Sequence, residues 1–423
     1  MPMPKRAVRA SPQQPAAWPP ALPAWRALGL SLAPIGGAAF NGVAGLCAAA
    51  IAAVLVFAFA RLHRHAPDAV STGDLVASTV GAAAGRFTSL IQLAAYVLLG
   101  VGAALTLALQ PLTGAPDLET ALAGWWWPGW SVTVVVIAGA VVAYLPTRAV
   151  GATAAALAGV GLLIFFYMAL AIVARVFSGT PPMEFGPSHV DSVLLATAAA
   201  IPLGLGLVGF EAATVVSGRL ASVARPVGAA VGIAALGAIA LLLAANIGST
   251  GGFHTTAVNL SLIISQFFAD AGFYWFATGA LCVGSAALLA LTWAATRVAG
   301  RLFGSGPEVA ILVPAVMCLL AVASCRFQEH MGRLQLTVPA LLLLVVYVVV
   351  TEANSRVEGS AAAQQAPRLI LVVVVVCVVL VPLRVTDFSV PALAPPAVTA
   401  ALLAVAALLA RLGRPVQPAH LPH

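Results

Sequence analysis

The sequence predicts an all-α integral membrane protein of about twelve transmembrane helices, and three observations carry that expectation. Of the 423 residues, 61% are hydrophobic and only 8% are charged. A soluble domain carries roughly 25% charged residues, so this chain lacks the polar side chains to cover a water-soluble fold. The apolar residues fall into runs of the roughly 20 residues that cross a bilayer as a helix. Runs such as 341–350 and 369–383 do not alternate apolar with polar, as a barrel strand would. Helices and closed barrels are the two ways to satisfy a backbone in lipid, and the pattern selects helices.

Taken in order, residues 1–21 are rich in Pro, Ala and basic residues and have no apolar core. They are expected to form a disordered cytoplasmic tail rather than a cleavable signal. The predicted spans are 22–40, 43–61, 87–109, 131–147, 150–174, 192–216, 227–248, 272–296, 308–325, 335–352, 367–383 and 391–411. They make one transmembrane domain over 22–411, followed by a cytoplasmic tail at 412–423. Residues 27–60 form one apolar stretch, too long for one helix and short for two. Asn41-Gly42 in its middle favours a tight turn. Trp125, Trp126, Trp127 and Trp130 close the loop 110–130 and read as an interfacial aromatic belt. Cys47, Cys282, Cys318, Cys325 and Cys377 sit in or beside apolar runs at no metal-like spacing, as packing residues do. No metal and no cofactor are expected.

Basic residues test the count of spans. With the N-terminus in the cytoplasm, alternate loops place all 20 Lys and Arg residues on the inside except Arg175, Arg326, Arg333 and Arg384. That bias supports twelve spans with both termini inside, the protein being multi-pass in the plasma membrane. The net charge of +7 then reflects topology and contact with lipid, not nucleic acid.

Of the 13 acidic residues, only Glu211 lies deep within a predicted span. A charge at the bilayer centre costs on the order of 3 kcal/mol or more, so such a residue faces a cavity or a partner. The bland alternative is a Glu that ties two helices together by hydrogen bonds. Just before it, Pro202, Gly204, Gly206 and Gly209 crowd the sixth span, and the first span repeats the feature at Pro34, Gly36 and Gly37. Gly and Pro at that density weaken a helix. Interruptions at corresponding places in two halves point to a transport site, here within an inverted repeat of five plus five helices. Close packing through glycine is the competing explanation.

At these residues the sequence resembles the amino acid–polyamine–organocation permease superfamily. The strongest match is Gly206-Leu-Val-Gly-Phe-Glu-Ala-Ala213, similar to the sixth-helix signature of those permeases. Arg64-His-Ala-Pro-Asp-Ala69 with Gly73-Asp-Leu-Val76 resembles the loop after the second helix. Thr296-Arg-Val-Ala-Gly-Arg301 resembles the end of the eighth, and Leu28-Gly-Leu-Ser-Leu-Ala-Pro34 the start of the first. The resemblance covers roughly residues 25–305. The chain departs from the family in four ways, the first being that the first-helix Gly-x-Gly is reduced to Gly36-Gly37-Ala38. Residues 217–226 lack the acidic pair, the segment from Phe40 to Pro67 is short, and no lysine follows Lys5. A lysine proton relay in the fifth helix is thereby excluded.

The resemblance implies a LeuT-type 5+5 inverted repeat plus two C-terminal helices, with helices one and six broken at the midplane. The implied substrate is an amino acid or related amine. The implied binding residues are Pro34, Ile35, Gly36, Gly37, Ala38, Leu205, Gly206, Val208 and Gly209. Gly36, Gly37 and Ala38 would donate backbone N–H groups to a carboxylate, and Leu205, Gly206 and Val208 would offer carbonyls to an ammonium group. Glu211 is the coupling candidate, with H+ or Na+ as the coupling ion. A major-facilitator-type carrier is the main alternative, but the loop at 61–72 lacks that family's basic motif. A membrane-embedded enzyme would need clustered His, Asp or Glu, and the close pair His63 and His65 reads as a surface. A purely structural subunit would leave Glu211 without a role.

Overall fold

The computed structural model describes residues 23–36, 42–67, 69–109, 126–184, 211–214, 224–250, 257–304, 306–326, 328–358, 365 and 390–412. In chain order the helices are α1 (Ala24–Gly36), α2 (Gly42–His65), α3 (Thr72–Ala77), α4 (Ala82–Leu109), α5 (Trp126–Tyr144) and α6 (Thr147–Phe177). A two-residue strand β1 (Met183–Glu184) follows, then a single 3₁₀ turn at 211–214. The chain continues with α7 (Ala224–Ile247), β2 (Ser249–Thr250), α8 (Ala257–Phe303), α9 (Pro307–Arg326), α10 (Gln328–Glu358) and α11 (Val390–Leu412). The two short strands pair in parallel, Met183 with Ser249 and Glu184 with Thr250.

The chain is a multi-pass membrane protein: among the described residues seven stretches, in α4 to α10, are long and apolar enough to cross a bilayer. Each coincides with a predicted span. The local sequence explains their limits. α9 opens on Pro307, whose missing N–H costs nothing at the first helical position, carries Glu308 in its first turn, and ends on Arg326, which together complement its dipole. α1 covers Ala24–Gly36 of the predicted span 22–40, and residues 37–40 lie outside the described residues. Most of the predicted spans 192–216 and 367–383 lies outside the described residues.

The tryptophan belt needs correction at one position. α5 begins at Trp126, so the described indoles stand on its first turns rather than in a loop. Trp126 and Trp130 are exposed, whereas Trp127 is buried and donates Nε1–H to the carbonyl of Leu105 on α4, at 3.2 Å. Adjacent residues on a helix point about 100° apart, so one indole of the group turns inward.

Small residues set how closely the helices approach. In lipid no hydrophobic force draws helices together, and close backbone packing takes its place. A Cβ on Gly151 of α6 would stand 2.8 Å from the carbonyl of Arg26 on α1. One on Gly161 would meet the Val283 side chain of α8, and one on Gly139 of α5 would meet Pro314 of α9, each at 2.6 Å. α8 lies between α6 and α4, and α1 packs against α6, α7 and α8.

These contacts bring arginines from distant parts of the chain to one end of the bundle. Arg86 at the start of α4 donates to the carbonyl of Ala410 at the end of α11. Arg297 near the end of α8 donates to Thr147 Oγ1 at the start of α6, at 2.9 Å. Arg175 is at the opposite end of α6. The charge asymmetry read from loops is therefore also an asymmetry in space.

Candidate functional site

Glu211 is fully buried at the start of the 211–214 turn. Tyr96 of α4 donates its hydroxyl to Oε1 at 2.9 Å, and Tyr347 of α10 donates to Oε2 at 2.7 Å. The chain has five tyrosines. Tyr144, Tyr167 and Tyr274 are exposed, and the two buried ones both end on this carboxyl. The sequence separations are 115 and 136 residues, so tertiary packing alone assembles the cluster.

The network continues through the amide of Gln92, one turn before Tyr96 on α4. Gln92 Nε2 donates to Tyr96 Oη and to Thr72 Oγ1, each at 3.2 Å. Thr72 and Thr214 stand hydroxyl to hydroxyl at 2.8 Å, and Thr214 donates to the carbonyl of Glu211 at 2.6 Å. A hydroxyl has one proton. That of Thr214 goes to the carbonyl, so Thr72 donates to Thr214 and accepts from Gln92. The orientation of the amide follows by the same count. Reversed, its oxygen would face Tyr96 and Thr72, whose protons are already committed. Every proton in the ring from Glu211 to Thr214 thus has an assigned acceptor, as buried polar groups require.

Both carboxyl oxygens act as acceptors in this arrangement. A protonated carboxyl offers one O–H donor and keeps acceptor capacity, and a tyrosine hydroxyl both donates and accepts, so taking up a proton at Glu211 turns one tyrosine hydroxyl from donor to acceptor. The cluster has two hydrogen-bonding arrangements that differ by one proton.

Beside it lies the short helix α3. Ser71 caps it, its Oγ accepting from the Asp74 N–H at 3.2 Å, and Asp74 Oδ2 accepts from the Val70 N–H at the same distance. Such reciprocal bonds satisfy the free donors of a helix start. α3 lies on α4 where Gly73 faces Gly85. A Cβ on Gly73 would overlap Ser89 Oγ and stand 2.8 Å from the Gly85 carbonyl. Asp74 also holds Arg301 of α8, Nη1 to Oδ2 at 2.7 Å. Three of the four motifs read from the sequence therefore meet at α3. The sixth-span motif ends one residue before Thr214, which meets Thr72, Gly73–Val76 of the loop motif lies within α3, and the eighth-span motif arrives through Arg301.

No family model matches the chain, and no curated protein matches it. Solved structures do. The crystal structure of MhsT in complex with L-phenylalanine superposes with a TM-score of 0.55 at 17% identity, covering 83% of this chain and 97% of that one. A mutant of the Eremococcus coleocola manganese transporter superposes with a TM-score of 0.58 at 14% identity, covering 92% of each chain. The fold is LeuT-type. Identities this low speak to the fold alone.

On this LeuT-type fold, the predicted binding residues are only partly described. Pro34, Ile35 and Gly36 are the last three residues of α1. The helix runs through Pro34, which leaves the Leu30 carbonyl without its helical donor. Gly37, Ala38, Leu205, Gly206, Val208 and Gly209 lie outside the described residues. Near the end of α1, the buried Ser31 Oγ has no hydrogen-bond partner among the described residues, and neither has Trp293 Nε1 on α8. Tyr96, Tyr347, Gln92, Thr72 and Thr214 are not singled out by the sequence. The one available signal is Gln92 and Tyr96 as an i, i+4 polar pair in an apolar run.

Proposed function

We propose that this chain is a secondary active transporter, not an enzyme, that moves an amino acid or related amine by alternating access. In this reading it is a divergent member of the amino acid–polyamine–organocation superfamily. It sits in the plasma membrane with both termini cytoplasmic, with the permease domain over 22–411 and tails at 1–21 and 412–423. The observation that carries the proposal is the buried Glu211 between two tyrosine hydroxyls on a fold shared with transporters. Such a carboxyl is costly in a membrane interior and is found where solutes or protons move.

In this reading the substrate is held by Pro34–Ala38 and by Leu205, Gly206, Val208 and Gly209, whose backbone groups would take its carboxylate and ammonium groups. Glu211 couples a proton to that movement. With the proton bound, one tyrosine hydroxyl accepts instead of donating, and the hydrogen bonds that hold the turn are rearranged. With the proton lost, both hydroxyls donate again. H+ is thus favoured over Na+ as the coupling ion.

Two measurements test this. A thermal-shift screen of the purified protein against amino acids, amines and Mn2+ identifies the ligand class, because a ligand stabilises the state that binds it. Stabilisation by Mn2+ and by no amine would overturn the amine assignment. Uptake of the identified ligand into proteoliposomes, with Glu211→Gln, tests the coupling. We expect the variant to fold and bind while losing proton-driven uptake. Uptake with unchanged rate and pH dependence would end the coupling role.

A further inference from the structure

Thr72 and Asp74 are two positions apart on α3, about 200° around a helix, and they leave it on opposite faces. Thr72 is fully buried and meets Thr214 and Gln92. Asp74 is half-exposed and holds Arg301. One six-residue helix thus has the Glu211 turn on its inner face and an ion pair to α8 on its outer face.

α3 has little stability of its own. It has 6 residues, and isolated helices shorter than about 12 residues are marginal in water. What holds it is its cap, the burial of Leu75 and Val76, the Gly73–Gly85 approach to α4, and the two polar contacts. The close approach joins it to α4, which also carries Gln92 and Tyr96. The 211–214 turn reaches α3 through the Thr72 hydroxyl, and α8 reaches it through Asp74. If the turn moves, the Thr72 hydroxyl loses its acceptor inside an apolar environment. An unmet buried hydroxyl is costly, so α3 reorients or frays instead, and the geometry of Asp74 toward Arg301 goes with it.

We infer that α3 is a coupling element that ties the Glu211 turn to the Asp74–Arg301 pair, so that movement of the turn loosens the arginine-rich end of the bundle. The inference rests on the reading of Glu211 as a switch and names the route by which its state reaches the surface. Thr72 and Gln92 are positioning residues in it.

Hydrogen–deuterium exchange of the full chain in lipid nanodiscs, without substrate, reads α3 directly through peptides covering 69–80. Thr214→Val removes the hydroxyl at nearly constant shape, and Arg301→Ala removes the outer contact. Thr214→Val is expected to speed α3 exchange about fivefold, the effect of one hydrogen bond, and Arg301→Ala by up to about fivefold, the upper end for an exposed ion pair. The double variant should exceed the faster single variant little, because either loss already frees the helix. Thr214→Ser should behave as the unaltered protein, and peptides from α9 should not change. Unchanged α3 exchange in Thr214→Val would overturn the inference. Independent effects that multiply in the double variant, up to about twenty-five-fold from two fivefold steps, would overturn it too. Should Thr214→Val not fold, Gln92→Met removes the other inner contact of Thr72 and is held to the same outcomes. Because exchange is read without substrate, the two proposals fail separately. Unchanged exchange in a transporting protein ends the coupling, and intact coupling without transport ends the transporter reading.

Discussion

Glu211 and Asp74 are both carboxyl groups with a partner within 2.9 Å, and both meet α3 or its neighbours. Glu211 is fully buried and takes neutral hydroxyls. Asp74 has a side chain 48% exposed and takes a full positive charge. By charge alone the second pair should be the stronger. Water reverses the order. An exposed ion pair is worth roughly 0.2–1 kcal/mol, because solvent and salt screen it and two long side chains must be held still. A buried hydrogen bond whose partner is removed costs about 1–3 kcal/mol, because the orphaned group finds no water. Burial, not formal charge, ranks the two.

That ranking can be broken experimentally, and the largest expected effect is at its centre. Glu211→Leu leaves the hydroxyls of Tyr96 and Tyr347 without their acceptor. The expected loss is about 2–6 kcal/mol, two orphaned hydroxyls at the usual cost, read as a fall in the unfolding midpoint or as failure to fold. A Leu variant as stable as the original chain would show that the cluster does not organise the fold. Next comes Gly73→Ala, which tests whether α3 needs its close seat on α4. Overpacking of a tight contact costs about 1–3 kcal/mol, and the same unfolding curve measures it. Tyr96→Phe and Tyr347→Phe should each cost about 1–2 kcal/mol. In the double variant the sum should not hold, because both act on one carboxyl. Smallest is Arg301→Ala, at no more than about 1 kcal/mol, and its effect should shrink further as salt is raised. An Arg301→Ala loss larger than that of Tyr96→Phe would invert the comparison.

Parts of this are legible in the sequence for a physical reason. A membrane span is specified by composition over about 20 residues, and that information is local. The predicted spans 87–109, 131–147, 150–174 and 227–248 therefore match α4, α5, α6 and α7 to within a few residues. Glu211 is legible because an acid within an apolar run is conspicuous whatever surrounds it. Trp127 is not, since whether an indole at a helix start faces lipid or a neighbouring helix depends on the helix azimuth.

Local chemistry, read along the chain, thus sets the helical membrane architecture, the clustering of arginines and the identity of the buried acid. It does not set which groups answer that acid. Tyr96 and Tyr347 look in sequence like Tyr167, which is exposed, and nothing local separates a tyrosine facing lipid from one facing a carboxyl. Thr72, Thr214 and Arg301 become partners of the network and of α3 only when chain segments 142 and 227 residues apart close against one another. Those pairings depend on the packing of α3, α4, α8 and α10, because hydrogen bonds are short and directional while hydropathy is neither.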